Sequence, residues 1–193
     1  WKFKHPYPED IRVVFENESG KDLSWLFDDL LQTTKKMDYK ISSIKNDELT
    51  LKNSGMISGP VLINAFKNDT VIYSAWIEGF NSKKTISIPK NLDPEVIVID
   101  HDQSMLEFNR HNNYIKTSGL FKKTEPLRLR FLGAVERPER TQINIVPVAG
   151  WNNYNKLLAG AVFYNSVFPK NNFEYQVMPM YAFGNNTIAG YAN

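Results

Sequence analysis

Asp100-His101-Asp102 is the first constellation in this chain whose residue types could do chemistry. Two carboxylates around an imidazole could hold a metal or trade protons. Consecutive residues on extended chain point to opposite sides, so at most Asp100 and Asp102 share a face. A strand-end turn, with the carboxylates bonded to nearby backbone N–H groups, is the favoured reading. Asn109-Arg110-His111-Asn112-Asn113 offers polar groups for a ligand, but asparagines also support tight turns, and looping is preferred there too. His5 beside Pro6 could also be a ligand. Tyr73, Trp76 and Phe80 could stack on a sugar, yet Tyr73 and Trp76 are three apart and face opposite sides of a regular strand. Ser24 and Ser42-Ser43 have no histidine at an interpretable spacing, and the chain contains no GxSxG elbow, Gly-rich phosphate loop or HExxH helix motif. No residue is therefore assigned as catalytic, cofactor-binding or metal-ligating.

The elements that must position these residues change grammar along the chain. Residues 1–37 read as helical. Pro8 suits the first helical position, where its missing N–H costs nothing. Glu9 and Asp10 follow in the first turn, where negative charge favours the helix dipole. Ile11, Val14 and Phe15 then form an apolar stripe, and Gly20 suits a left-handed cap. Asp22 can cap a second helix with Leu23, Phe27, Leu30 and Leu31 on its apolar face, widened by Trp25 and Leu26. Such a hairpin needs a packing partner, expected upstream of Trp1.

Residues 38–118 switch to period two. Short strands around Tyr39 to Ile41, Leu49 to Leu51, Val61 to Phe66, Val71 to Ile77, Ile86 to Ile88 and Val96 to Ile99 are separated by Asn, Asp, Gly and Pro. Asn46-Asp47 and Lys67-Asn68-Asp69-Thr70 read as hairpin connections. The expectation is an antiparallel β-sandwich. A charged, Asn-rich connector runs from Glu107 to Lys123.

Residues 119–193 alternate without an obvious soluble core. Phe173, Tyr175, Val177, Pro179, Tyr181 and Phe183 fall on one face, and Glu174, Gln176, Met178, Met180 and Ala182 on the other. Arg130, Gln142 and Asn144 interrupt apolar strands at alternate positions, and Leu157 to Tyr164 sets Ala159, Gly160 and Ala161 between large residues. Segments of roughly ten residues, aromatic near their ends and two-faced, match strands of a transmembrane β-barrel. A second soluble β-domain is the alternative. The fold class expected overall is mixed and mostly β: a helical hairpin, a sandwich, and hairpins of an incomplete membrane-type barrel.

Composition limits the partners. The chain has 193 residues, 42% hydrophobic and 13% aromatic, with 23 basic and 21 acidic residues. A formal charge of +2 argues against a dedicated nucleic-acid binder. Mean hydropathy of −0.40, with no long apolar stretch, argues against membrane-spanning helices. The absence of cysteine removes disulfides and thiolate metal sites and leaves the redox compartment open.

The string FKHPYPEDIRVVFENESGKDLSWLFDDLL resembles the closing helices of the catalytic domain in aminopeptidase N-like zinc metallopeptidases. Their run reads roughly H-P-[TS]-P-E-D-F…E-x-x-S-G-x-D-L-x-W-F-F-D. His5, Pro6, Pro8, Glu9, Asp10, Ser19, Gly20, Asp22, Leu23, Trp25, Phe27 and Asp28 match it. Tyr7 replaces the usual hydroxyl cap, worth about 1 kcal/mol if nothing compensates, and Leu26 replaces an aromatic. The stretch from Tyr39 through Asn113 is similar to the β-sandwich that follows that domain. ERTQINIVPVAGWNNYNKLLAGAVFYN and FEYQVMPMYAFGNNTIAGY look like the start of the barrel-like extension in some bacterial outer-membrane members.

What the resemblance implies is a C-terminal, non-catalytic portion of a zinc-dependent aminopeptidase that removes N-terminal residues from peptides. Zinc would belong to the parent protein, on an HExxH helix upstream, and none would be bound by this segment. Peptide substrates would meet the missing catalytic domain, and the cell envelope, at the outer membrane or periplasm, is the expected location. Two rivals stand beside this: a stand-alone sandwich that binds glycans or peptides, and an outer-membrane barrel with a soluble adaptor.

Overall fold

A computed structural model of the chain describes residues 5–132, 140–165 and 173–193. It is mostly β, and the chain divides into two compact units, Trp1–Lys123 and Thr124–Asn193. The division falls after Lys123 rather than after residue 118. The Lys116 N–H donates to the Lys122 carbonyl, and Lys122 Nζ to the Thr117 carbonyl at 2.7 Å, so the connector's end stays with the first unit.

In the first unit, α1 spans Pro8–Ser19, with Pro8 in its first turn and Gly20 left-handed at φ 64°. The Tyr7 N–H donates to Asp10 Oδ2 at 2.9 Å, so Asp10 supplies half of the N-terminal cap that the Tyr7 side chain does not. The expected second α-helix is instead a π-helical turn, Trp25–Leu30. Asp22 does turn its carboxylate onto the chain ahead of it, accepting from the Ser24 N–H at 2.9 Å. The apolar face is only partly used: Phe27 is buried while Leu31 stays 65% exposed. Arg12 ties the two pieces together, with Nη1 2.8 Å from Asp28 Oδ1 and Nη2 2.9 Å from Ser24 Oγ. No residue of α1 is buried, and Ile11, Val14 and Phe15 are exposed.

The strands that follow are β1 (Tyr39–Lys45), β2 (Glu48–Asn53), β3 (Val61–Lys67), β4 (Thr70–Ile77), β5 (Lys83–Ser87), β6 (Val96–Ile99) and β7 (Tyr114–Lys116). They form two antiparallel sheets, ordered β1-β2-β5 and β4-β3-β6-β7. Both expected two-residue turns are present. Asn46 and Asp47 have φ of 47° and 65°, and Asn68 and Asp69 have 50° and 57°, the type I′ pattern that Asn and Asp tolerate. Side chains from both sheets meet in one core: Tyr39, Ile41, Leu49 and Leu51 from the first, Val61, Ile63, Ala65, Ile97, Ile99 and Ile115 from the second. Strand β7 falls inside the segment expected to be connector, because three residues carry too little alternation to stand out.

The second unit is one five-stranded sheet, ordered β12-β11-β10-β9-β8. Its strands are β8 (Leu127–Phe131), β9 (Thr141–Asn152), β10 (Lys156–Tyr164), β11 (Gln176–Ala182) and β12 (Thr187–Ala192). Strands β9 to β12 pair antiparallel, whereas β8 pairs parallel to β9, with Leu129 opposite Ile143. Hairpins alone were expected here. The sheet is open.

Two prolines sit inside this sheet. The Leu132 N–H reaches the Ile145 carbonyl, so odd positions of β9 turn their backbone groups toward β8. Pro147 therefore lacks its N–H just past the last β8 pair, Phe131 with Ile145, where no ladder bond is lost. Pro179 breaks the β10–β11 ladder, which pairs Gly160 with Met180 and resumes only at Phe163 with Val177. Gly160 permits the close approach, since a Cβ there would collide with the Pro179 carbonyl oxygen.

Candidate functional site

Asp100 is 1% exposed and belongs to a clamp rather than to a metal or acid–base triad. It ends β6 at φ 50° and accepts from the Ser104 N–H (2.9 Å), Ser104 Oγ (2.8 Å) and the Met105 N–H (3.0 Å). Arg110 Nη1 completes the set, 2.7 Å from Asp100 Oδ2, while Nη2 donates to the Met105 carbonyl. His101 turns away, its ring edge-on to Phe66 at 4.7 Å. Asp100, His101 and Asp102 are thus not brought to one point. A buried, fully bonded ion pair of this kind fixes a loop.

The Asn109–Asn113 segment is likewise structural. Asn109 Oδ1 accepts from the His111 N–H at the start of a 3₁₀ turn, Arg110–Asn112, and Asn112 Nδ2 donates to Asp38 Oδ1 at 2.9 Å. Glu107, which the sequence does not single out, is a buried carboxyl between the strap after β6 and the start of β1. Its Oε1 accepts from the Tyr39 N–H at 2.7 Å, and its Oε2 is buried without a partner. Burial pushes its pKa up to about 8, with Asp38 and Asp100 adding to the rise and Arg110 and the Tyr39 N–H opposing it. Tyr39 is pushed up to about 12 by burial, its hydroxyl donating to the Gly59 carbonyl at 2.8 Å.

The aromatic candidates do not form a stacking platform. Tyr73 packs against the sandwich core, Trp76 is 58% exposed on the same strand, and Phe80 lies 5.1 Å from the Tyr39 ring. Trp25 also packs on the core, over Gly59. His5 is exposed ahead of α1. Among the described residues, no three His, Asp or Glu side chains stand together as a metal site. A zinc ion does not fit the Asp100-His101-Asp102 constellation: His101 is turned onto Phe66 and Asp100 is spent on Arg110.

The feature most able to act on a partner is a face of the second unit. Residues opposite one another in a sheet share a face, so the registers place Leu127, Leu129 and Phe131 beside Ile143 and Ile145. The same face continues through Pro147, Ala149 and Trp151, then Leu157, Ala159, Ala161 and Phe163, then Val177 and Tyr181, and ends at Ile188 on β12. It contains no charged residue. Leu129 is 63% exposed, Trp151 67% and Ile188 82%.

The opposite face carries Arg128, Arg130, Gln142, Asn144, Gly160, Met178 and Met180, and it holds the buried side chains: Gln142, Asn144, Leu158, Val162 and Ala182. Along β9 the ordinary arrangement of apolar inside and polar outside is reversed, with Gln142 and Asn144 buried, whereas Leu158, Val162 and Ala182 are buried on the neighbouring strands. Aromatic residues mark both ends. Trp151, Tyr154, Tyr181 and Phe183 cluster where the β9–β10 and β11–β12 turns meet, held by the Gly184 N–H on the Asn155 carbonyl. Phe131, Phe163, Phe173 and Tyr175 lie at the other end. From Ile143 to Trp151 the strand covers about 26 Å, or roughly 20 Å in height at a 40° tilt.

Among the described residues, no helix is long and apolar enough to cross a membrane, which says nothing of crossing by strands. Compared with protein-family models, curated proteins and solved structures, the chain matches none.

Proposed function

We propose that this chain is the C-terminal, non-catalytic portion of a zinc-dependent aminopeptidase of a bacterial cell envelope, and that its second unit contributes strands to an outer-membrane β-barrel. The observation that carries the reading is the uncharged, outward sheet face, aromatic at both ends. Its height is comparable to the roughly 25 Å apolar band of such barrels, and its polar, small-residue reverse suits a lumen. The parallel β8–β9 pair is a departure, since membrane barrels pair antiparallel, and it restricts the barrel reading to β9 through β12.

The peptidase part rests on the resemblance of residues 5–28. It is supported by a capped, Gly20-ended α1 whose apolar residues Ile11, Val14 and Phe15 stay exposed, with the Phe15 ring 6.4 Å from that of Phe27. In that role the helices would close the shell of a zinc-bearing body and the sandwich would support it. Zinc would polarise the scissile carbonyl and activate water there, and no group of this segment would take part.

The test has two readouts. The longer polypeptide should release aminoacyl reporter amides and lose that activity to a zinc chelator, while residues 1–193 alone show none. Residues 1–193 should float with phospholipid vesicles, and a chain ending at Lys123 should not. Zinc-dependent turnover by residues 1–193 would overturn the division of roles, and absence of flotation would overturn the barrel. An outer-membrane barrel with a soluble adaptor is the second reading, favoured by the same face; it expects flotation without peptidase activity in the longer polypeptide.

A further inference from the structure

Residues 105 to 113 cross the start of β1 and are tied to it three times. The Phe108 N–H donates to the Met37 carbonyl at 2.8 Å, Glu107 Oε1 accepts from the Tyr39 N–H at 2.7 Å, and Asn112 Nδ2 donates to Asp38 Oδ1 at 2.9 Å. Met37 and Glu107 also form an isolated parallel bridge. The middle tie differs from the other two. It is made by a carboxyl that is 9% exposed, with Oε2 buried and bonded to nothing.

The charged groups facing that carboxyl are Asp38 from the start of β1, and Asp100 and Arg110 from the strap's own base. Arg110 is the only cation among them, and it is already committed to Asp100 Oδ2, the Asp100 carbonyl and the Met105 carbonyl. An ionised Glu107 would therefore sit buried between two carboxylates with half of its charge unsolvated.

We propose that Glu107 is a proton-operated latch: when neutral it straps residues 105 to 113 across the start of β1, and when ionised it frees that strap while the two sheets stay paired.

The sign follows from linkage. The carboxyl has a value near 8 with the strap closed, against 4.5 for an ordinary glutamate in water. The closed state therefore holds the proton more tightly. Its advantage is complete below about 4.5, declines as pH rises, and is gone above 8. Between those limits the ratio of closed to open strap falls about tenfold per pH unit.

Amide hydrogen exchange on the full chain reads this directly, after correction for the intrinsic pH dependence of exchange. Protection of the Tyr39 and Phe108 amides should fall about tenfold per pH unit between pH 5 and 7.5. The Asn64 and Val98 amides, inside the β3–β6 pairing, should not follow. Glu107→Gln, which keeps an acceptor and cannot ionise, should hold the Tyr39 and Phe108 protection flat. Asp38→Asn removes one facing carboxylate, so the decline should level off at lower pH. It also serves as the test should Glu107→Gln fail to fold. Equal pH slopes in Glu107→Gln and the unaltered chain would overturn the latch. So would an unshifted profile in Asp38→Asn, or an equal loss of protection at Asn64 and Val98.

Discussion

The sandwich and the five-stranded sheet are written in the same period-two alternation, yet they turn it in opposite directions. In β1, Tyr39 and Ile41 face a core shared with Ile63 and Ile97, and all four are essentially inaccessible. In β9, Ile143 and Ile145 lie on the open face while Gln142 and Asn144 are buried. Alternation therefore specifies that a strand has two faces, but not which face meets solvent. That choice depends on whether a second apolar surface exists to close against. The sandwich has one; the described residues of the second unit supply none.

Charge placement breaks this comparison most sharply. Ile143→Lys should cost roughly 2–4 kcal/mol of insertion and abolish vesicle flotation. Val71→Lys, at an exposed apolar position of β4, should leave sandwich stability within about 0.5 kcal/mol and flotation unchanged. Equal effects of the two substitutions would mean that the sheet face is an ordinary surface.

Arg110→Ala should lower sandwich stability in urea unfolding by about 3–5 kcal/mol, because Asp100 would remain buried without its cation. A smaller loss than for Val71→Lys would mean that the clamp contributes nothing. Core truncation sharpens the contrast between the units. Ile97→Ala should cost about 2–5 kcal/mol in the sandwich, whereas Ile143→Ala in the sheet should cost about 1 kcal/mol in aqueous buffer, where its side chain is only half-buried. The smallest effect belongs to Gly20→Ala. Its φ of 64° should make alanine cost about 1 kcal/mol, read as reduced helicity of α1 by circular dichroism, without any change in the sandwich transition.

Legibility in the sequence followed the range of the interactions. Pro8, Gly20, Asn46-Asp47 and Asn68-Asp69 specify caps and turns through their own backbone preferences, and each stands where local chemistry puts it. The two faces of β11 could be read from Tyr175, Val177, Pro179 and Tyr181 at odd positions, because a side-chain period needs no partner. The π-helical turn was hidden: Leu23 to Leu31 fit an α-helical stripe, and the wider turn shows only in the Leu31 N–H reaching the Leu26 carbonyl, five residues back. The parallel β8–β9 pair was equally hidden, since alternation is blind to strand direction. Glu107 carried no signal because its burial arises from residues far along the chain, Tyr39 above all. Asp100 drew attention beside His101 as possible chemistry, and it is the Arg110 contact ten residues on that fixes its structural role.

The interruption at Pro179 makes the second unit two hairpins sewn together by a ladder with missing stitches. Neither Ala161 and Val162 on β10 nor Met178 and Pro179 on β11 take part in that cross-strand pairing. Under lateral tension the β9–β10 and β11–β12 hairpins should part along this line before either separates internally. The perforation lies mid-strand, away from both turns, so the sheet is built to tear, or to be prised open, across its middle.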